Sequence, residues 1–210
     1  ALHELGMPLE QLFAGYLGTA AAPNGGRDGH IGDPGRGVLA PISHVGDMVP
    51  VITGVALAFK QRGEKRVALT WVGDGSSKIG AVHEGLNLAA VLKVPAIFVL
   101  QNNQVALGTK LEQHQVGDFG SWAASYGLRG ASADGNNVLD VYAAVRAAAD
   151  HAESSAGDVP MSGSRGAEPF AATEVFTGRC RRRARGSVSR RRPRSPRRCA
   201  PIAPTACDPW

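Results

Sequence analysis

The chain has 210 residues, enough for one hydrophobic core or for one domain with a tail, and a formal net charge of +5. That charge is unevenly distributed: residues 1–157 carry 11 Lys and Arg against 14 Asp and Glu, a net charge of −3, whereas residues 158–210 carry 12 Arg against four acids, a net charge of +8. No apolar run approaches the roughly 18 residues that span a bilayer, and the N-terminus lacks a signal-peptide pattern, so we expect no membrane partner.

The chain begins with a short helical periodicity and continues through a loop rich in Gly, Pro and Asp over residues 19–37. A helix of small and apolar residues is predicted within 43–63. The runs RVALTWV (66–72) and AIFVLQ (96–101) predict strands covered on both faces, with a helix between them at 80–93.

After these elements, FGSWAASYGL (119–128) predicts a short helix, and residues 131–153 predict a turn followed by a helix with Asn137 as its N-cap. Strands that alternate with helices predict an α/β fold, with a doubly wound, mostly parallel sheet and helices on both faces. The pattern ends near residue 157, and the Arg-, Pro- and Ser-rich remainder predicts no packed core.

The two predicted strands end in glycine, acid and amide residues: Gly73-Asp74-Gly75 after the first and Asn102-Asn103 after the second. Open α/β sheets bind ligands at the carboxyl ends of their strands, so one crossover would bring Asp74 close to one of the asparagines. The glycines let the backbone approach an anion, and the next helix offers free N–H groups. Because carboxylate and amide oxygens suit Mg²⁺, this segment predicts a magnesium ion that holds a diphosphate.

Two other phosphate motifs are excluded. GDGSSKIG does not have the GxGxxG spacing of dinucleotide-binding folds, and the next strand ends in LQNN rather than in an acid. A P-loop requires Gly-Lys-Ser/Thr, but Lys78 is followed by Ile79.

The same residues resemble the signature of thiamine-diphosphate-dependent enzymes. HEGLNLAAVLKVPAIFVLQNNQVALGT, NGGRDGHIGD, SHVGDMVPVITGVALA and ADGNNVLDVY are similar, more narrowly, to the alpha subunit of the 2-oxo acid dehydrogenase complexes. The resemblance covers roughly residues 2–157. It implies a thiamine-diphosphate-binding domain over 1–157, truncated at both ends, that takes part in oxidative decarboxylation of a 2-oxo acid with acyl transfer to a lipoyl group. Pyruvate is the first expectation for the substrate, followed by branched-chain 2-oxo acids, and an acetoin-cleaving relative is the alternative within this class.

Carried over onto this sequence, the resemblance implies Mg²⁺ ligation by the side chains of Asp74 and Asn103 and by the carbonyl of Val105. It implies further cofactor contacts, at the diphosphate and at the aminopyrimidine, from Gly73, Gly75, Ser76, Ser43 and Val45.

Two histidines are candidate catalytic residues. The resemblance places His30 in the loop that lines the entrance to the site, and His44 adjoins Val45; for both, a structural role in the loop is an equal alternative. His83 and Glu84 are assigned to packing or to a surface pair, and no pattern assigns a role to His3, His114 or His151.

The resemblance also implies partners: a beta subunit that contributes a glutamate to the cofactor, in an α2β2 heterotetramer, and a lipoyl-bearing acyltransferase. Where the family has a further strand and a Gly-His motif, residues 158–210 are Arg-rich. These residues are predicted to be a disordered tail or the product of a shifted reading frame. The alternative function is that of a non-catalytic remnant or of a protein that associates with nucleic acid through its arginines. The scarcity of aromatic residues in the tail disfavours nucleic-acid binding.

The three cysteines, Cys180, Cys199 and Cys207, all lie in this tail and support neither a zinc site nor a disulfide framework. Because residues 1–157 contain no cysteine, we predict a cytoplasmic protein.

Overall fold

A computed structural model describes residues 2–117, 119–156 and 170–176, all within the first of two compact units, Ala1–Arg179. In chain order the elements are α1 (Leu9–Tyr16), α2 (Met48–Gln61), β1 (Ala68–Gly73), α3 (Gly80–Leu92), β2 (Ala96–Asn102), β3 (Val105–Ala106), β4 (Thr109–Lys110), α4 (Leu111–His114), α5 (Trp122–Ser125), β5 (Arg129–Asp134), α6 (Val138–Ala156) and β6 (Phe170–Phe176). Short 3₁₀ turns occupy Pro34–Arg36 and Ser76–Lys78. None of the helices in this part of the chain is long and apolar enough to cross a membrane.

The main sheet has four strands in the order β1-β2-β6-β5, and every neighbouring pair is parallel. β1 and β2 are joined through α3 and pair from Ala68↔Ala96 to Gly73↔Gln101. Because parallel neighbours end at the same edge, the sequences that follow Gly73 and Asn102 emerge side by side. The predicted parallel α/β sheet is confirmed.

Helices cover both faces of this sheet at β2. On β1 only one face is well covered, because Trp71 on the other face is 60% exposed, so the prediction that β1 is covered on both faces is wrong. On β2, Ala96 and Phe98 join the core formed with α2, α3 and α5, whereas Ile97 and Val99 pack on the opposite face with Ala148 of α6. All four of these β2 side chains are buried, because successive residues of a strand point to opposite faces and each face is covered. The prediction of a doubly wound sheet is therefore confirmed.

Helices α2 and α3 cross closely because α3 has glycine at the contact. A Cβ on Gly85 would lie 2.8 Å from Cγ1 of Val49 and 2.9 Å from the backbone nitrogen of Pro50. The buried hydroxyl of Thr53 donates to the carbonyl oxygens of Val49 (2.9 Å) and Gly85 (3.3 Å). The crossing thus fixes α3, whose first turn borders the candidate site.

Two strands of the main sheet differ from the sequence-based expectation. β5 was not predicted, because its sequence RGASAD has none of the β-branched or aromatic residues that favour strands. β6 lies beyond residue 157, where we placed the end of the domain, and it pairs with both β2 and β5. Disorder or a shifted frame in the rest of 158–210 concerns residues outside the described part of the chain and stays a prediction.

Candidate cofactor and metal site

The turn after β1 is held at the carboxyl edge of the sheet. The backbone N–H of Asp74 donates to the carbonyl oxygen of Gln101 on β2 (3.2 Å), which extends the β1–β2 ladder by one residue. The fully buried hydroxyl of Ser77 donates to the carbonyl oxygen of Asp74 (2.5 Å). These two bonds fix the backbone of Asp74 where the chain leaves the strand and enters the 3₁₀ turn before α3.

Gly75 is required by a close approach rather than by an unusual backbone conformation. Its φ of −68° and ψ of −43° are open to any residue, but a Cβ at this position would lie 2.4 Å from the Cβ of Ala106. Ala106 belongs to the β3–β4 hairpin that follows Asn103. The missing side chain therefore lets the hairpin lie directly against the turn that carries Asp74.

The carboxylate of Asp74 is buried without a hydrogen-bond donor for one of its oxygens. Its side chain is 3% exposed, and Oδ2 has no hydrogen-bond partner among the described residues. An imidazole adjoins it: Nε2 of His114, at the end of α4, lies 3.6 Å from Oδ2. Burying a carboxylate in this state is unfavourable unless a ligand satisfies it, so the geometry fits a site for a cation.

The two asparagines after β2 shape the chain that returns over Asp74. Oδ1 of buried Asn102 accepts from the backbone N–H of Gln104 (3.1 Å), and Oδ1 of exposed Asn103 accepts from that of Val105 (3.0 Å). Gln104 has a left-handed φ of 66°, which turns the chain into the hairpin. Each amide oxygen keeps a second lone pair, so Asn103 can still serve as a ligand.

A lysine adds positive charge beside the acid. The Nζ of Lys78 lies over the rings of Phe119 (4.7 Å to the centroid) and Trp122 (4.6 Å) in a cation–π arrangement. Burial lowers the pKa of the Lys78 ammonium, and the carboxylate of Asp74 opposes this shift. The charges around the turn are thus of both signs, which suits a site for a metal ion together with an anionic group.

The aromatic rings beside Lys78, Phe119 and Trp122, are connected to α3 through His83. Tyr126, which follows α5, forms a short hydrogen bond through its hydroxyl with Nδ1 of His83, and the His83 and Trp122 rings are 5.0 Å apart. Burial raises the pKa of the Tyr126 hydroxyl. His83 therefore has the packing role that the sequence suggested, with a hydrogen bond in addition.

The other predicted residues lie on two loops. His30 contacts Oγ of Ser43 through Nε2 (3.4 Å) and Oδ1 of Asp28 through Nδ1 (2.9 Å). Hydrogen bonds from the His30 backbone and then its ring lower the pKa of Asp28. His44 and Val45 are exposed.

Gly46 ties the 43–46 loop to the start of α3. A Cβ on Gly46 would lie 2.7 Å from side-chain atoms of both Ile79 and Val82, and its φ is +84°. The loop with Ser43 and Val45 is therefore anchored beside the turn, and His30 is brought to Ser43. No hydrogen bond or ion pair among the described residues joins His44 or Val45 to the turn.

The residues present fit a magnesium ion and a diphosphate. The unsatisfied oxygen of Asp74 offers an anionic ligand, and the missing side chain of Gly75 lets the hairpin that carries Val105 lie against the turn. Sequence reasoning missed His114 and Ala106, because their contacts with the turn depend on how the chain after Asn103 folds back. It also assigned no part in the site to Lys78, which lies in the 3₁₀ turn itself. The one available signal was that an imidazole occurs eleven residues after Asn103.

Comparison with known proteins defines the class. The sequence profile of the dehydrogenase E1 component family matches residues 2–162, and the chain belongs to this family. It is 36% identical over 156 residues to the alpha subunit of 2-oxoisovalerate dehydrogenase from Bacillus subtilis (72% of this chain, 47% of that protein). It is 35% identical over 155 residues to the alpha subunit of acetoin:2,6-dichlorophenolindophenol oxidoreductase from the same organism (72% and 46%).

A third relative is the alpha subunit of the pyruvate dehydrogenase E1 component from Staphylococcus aureus, 40% identical over 124 residues (59% of this chain, 34% of that protein). A solved Mycobacterium smegmatis structure, assigned by its description to the thiamin diphosphate-dependent enzymes, matches with a TM-score of 0.44 and 24% identity over 62% of this chain and 22% of that one. The chain spans about half the length of the first two relatives. The predicted family is confirmed.

Proposed function

We propose that this chain is the alpha subunit of a thiamine-diphosphate-dependent 2-oxo acid dehydrogenase and binds the cofactor's diphosphate through Mg²⁺. The observation that carries the proposal is the buried, unsatisfied carboxylate of Asp74 at the carboxyl edge of a parallel sheet. Membership of the dehydrogenase E1 component family supports it.

Each residue at the edge would have a defined part. Asp74 would hold the ion through its carboxylate, Asn103 through its amide oxygen and Val105 through its carbonyl. Gly73, Gly75 and Ser76 would offer backbone and hydroxyl donors to the diphosphate. Ser43 and Val45 would contact the aminopyrimidine, while His30 and His44 would face the substrate.

When bound, thiamine diphosphate supplies the carbon nucleophile and the electron sink for decarboxylating a 2-oxo acid. The residues of this chain would position the diphosphate end of the cofactor. A beta subunit in an α2β2 assembly would complete the site, and a lipoyl-bearing acyltransferase would accept the acyl group. We propose pyruvate as the substrate, with branched-chain 2-oxo acids and acetoin as the alternatives that the relatives' names suggest.

The test is calorimetric titration of the full chain, co-expressed with its beta subunit, with thiamine diphosphate in the presence and absence of Mg²⁺. We expect saturable binding that requires Mg²⁺ and is lost in Asp74→Ala. The matched control is Asp150→Ala, which removes an exposed acid paired with Arg146 on α6. Binding that survives Asp74→Ala would disprove the ligand assignment, and no binding to the wild-type assembly would identify the chain as a non-catalytic remnant.

Substrate choice is measured on the same assembly. Three reactions are compared: decarboxylation of pyruvate, decarboxylation of 2-oxoisovalerate and cleavage of acetoin. Each assay contains an artificial electron acceptor in place of the lipoyl partner. The highest kcat/KM is expected for pyruvate, and a preference for either alternative would replace the proposed substrate.

A further inference from the structure

Three polar side chains form a continuous series of contacts in the loops before α2. Nδ1 of His30 lies 2.9 Å from Oδ1 of Asp28, and Nε2 of the same ring lies 3.4 Å from Oγ of Ser43. Oδ1 of Asp28 also accepts from the backbone N–H of His30 (3.0 Å). A carboxylate, an imidazole and a hydroxyl in this order form a hydrogen-bond relay, in which each group determines what the next can donate or accept.

Local packing explains why the imidazole and the hydroxyl meet although thirteen positions separate them. The N–H of Asp33 donates to the carbonyl oxygen of Val38 (2.8 Å), and the N–H of Val38 donates to that of Asp33 (3.0 Å). A Cβ on Gly32 would lie 2.3 Å from the backbone nitrogen of Ala40, so glycine lets the two sides of this bridge approach closely. The segment thus folds back on itself and returns the hydroxyl-bearing loop to the imidazole.

The direction of each hydrogen bond in the relay follows from the ionised carboxylate. Hydrogen bonds from the backbone and then the ring of His30 lower the pKa of Asp28, so at neutral pH the oxygens of Asp28 only accept. Nδ1 of His30 therefore carries the bridging proton, and in the neutral ring Nε2 keeps a lone pair. A neutral imidazole in water favours the opposite tautomer, with its proton on Nε2. The hydroxyl of Ser43 consequently donates to Nε2, and the lone pairs of its oxygen are left for a different donor.

We propose that Asp28 is a positioning residue, which holds His30 in the Nδ1–H tautomer and so makes the Ser43 hydroxyl an acceptor for an N–H group of the ligand. An aspartate fixes the tautomer of a histidine in the same way in the catalytic triad of serine proteases. The identity of the ligand rests on the proposed function, under which Ser43 contacts the aminopyrimidine, so that its amino group is the donor. The tautomer does not rest on that function, because it follows from contacts within this chain.

The first experiment determines the tautomer without any ligand. The full chain is labelled with ¹⁵N-histidine, and side-chain ¹⁵N shifts are recorded by NMR at about pH 9, where ordinary imidazoles are neutral. The chain has six histidines, and the signals of His30 are identified by their loss in His30→Gln. We expect a protonated Nδ1 and an unprotonated Nε2 in the wild type, and a reversal to the Nε2–H form in Asp28→Ala. The matched control Asp33→Ala removes an acid that pairs with Arg36 (2.9 Å) in the same segment, and it should leave the His30 shifts unchanged.

The second experiment tests the acceptor role of Ser43 with two matched ligands. Thiamine diphosphate, and the analogue whose pyrimidine carries oxygen in place of the amino group, are titrated with Mg²⁺ into the full chain assembled with its beta subunit. The wild type should favour thiamine diphosphate by about tenfold or more, because the analogue loses one hydrogen bond and places two acceptors against each other. This affinity ratio should fall several-fold in Ser43→Ala and in Asp28→Ala, but not in Asp33→Ala. A merely structural role for Asp28 would weaken binding of both ligands alike and leave the ratio unchanged.

The outcomes separate the two proposals. An Nε2–H tautomer of His30 in the wild type, or an Nδ1–H tautomer that survives Asp28→Ala, overturns the role of Asp28. A ligand ratio that Ser43→Ala or Asp28→Ala leaves unchanged overturns the acceptor role that the relay gives to Ser43. Failure of the wild-type assembly to bind either ligand overturns the proposed function and the acceptor role with it, whereas the NMR spectrum still decides the tautomer.

Discussion

Replacing Gly75 with alanine tests the close contact on which the site is built. The backbone of Gly75 is in the right-handed helical region, so alanine imposes no conformational penalty and would by itself stabilise the chain by about 0.4–1 kcal/mol. The added Cβ would instead lie 2.4 Å from Cβ of Ala106. Restoring an ordinary separation of about 3.6 Å moves the hairpin away by more than about 1 Å.

Overpacking of this kind costs about 1–3 kcal/mol, which lowers the Tm of a domain of this size by about 2–12 °C. The displacement also moves Val105, so we expect weaker Mg²⁺-dependent binding of thiamine diphosphate. Thermal unfolding followed by circular dichroism measures the first effect and calorimetry the second.

Two variants control the Gly75→Ala experiment. Gly73→Ala, at the last residue of β1, is the matched substitution, because its Cβ would meet Oγ of Ser76 at an ordinary 3.6 Å, and its Tm should change little. Adding Ala106→Gly to Gly75→Ala removes the overlap and should restore most of the lost stability in a double-mutant cycle. If Gly75→Ala unfolds at the same temperature as Gly73→Ala, or if Ala106→Gly rescues nothing, the contact does not constrain the site.

Three further predictions follow from the contacts described above. Asp74→Asn removes a buried charge, so it should raise the free energy of unfolding of the metal-free chain by about 1 kcal/mol. The same substitution should abolish Mg²⁺-dependent cofactor affinity. Urea unfolding measures the stability, and a lower free energy of unfolding would contradict the prediction. Gly85→Ala should lower the free energy of unfolding by about 1–3 kcal/mol, because its Cβ would meet the Pro50 backbone nitrogen at 2.9 Å. The matched control is Gly54→Ala, whose Cβ would have no atom within 4 Å and should not destabilise the chain. Because burial raises the pKa of Tyr126 above 10.0, the unfolded chain loses this proton first, and stability should fall as pH rises past about 10. Tyr126→Phe should flatten that fall in Tm measured from pH 9 to 11, and an unchanged slope would refute the assignment.

The half of the fold that carries the candidate metal site could be predicted because its signals are local. The apolar runs before Gly73 and Asn102 are long enough to identify as strands, and Asn137 does cap α6, accepting from the backbone N–H of Leu139 (3.1 Å). Because β1 and β2 are parallel neighbours, Asp74 and the two asparagines follow strand ends at the same edge of the sheet.

What could not be predicted depends on contacts between distant parts of the chain. β5 has a sequence of small and polar residues, and its strand conformation comes from pairing with β6 rather than from propensity. His114 belongs to a four-residue helix whose position depends on bonds to the preceding hairpin. Hydrophobic periodicity does not predict how a loop folds back, so the sequence did not distinguish His114 from an ordinary surface residue.

The order of strands in the sheet has a consequence for how the protein folds. β1 and β2 pair over a separation of 28 residues, so this half can form from a contiguous segment soon after residue 102 is synthesised. β5 has no direct pairing with β2 and joins the sheet only through β6, which comes later in the chain than both. The growing chain therefore presents an open edge on β2 until residues 170–176 arrive, and during that interval it is exposed to pairing with other chains.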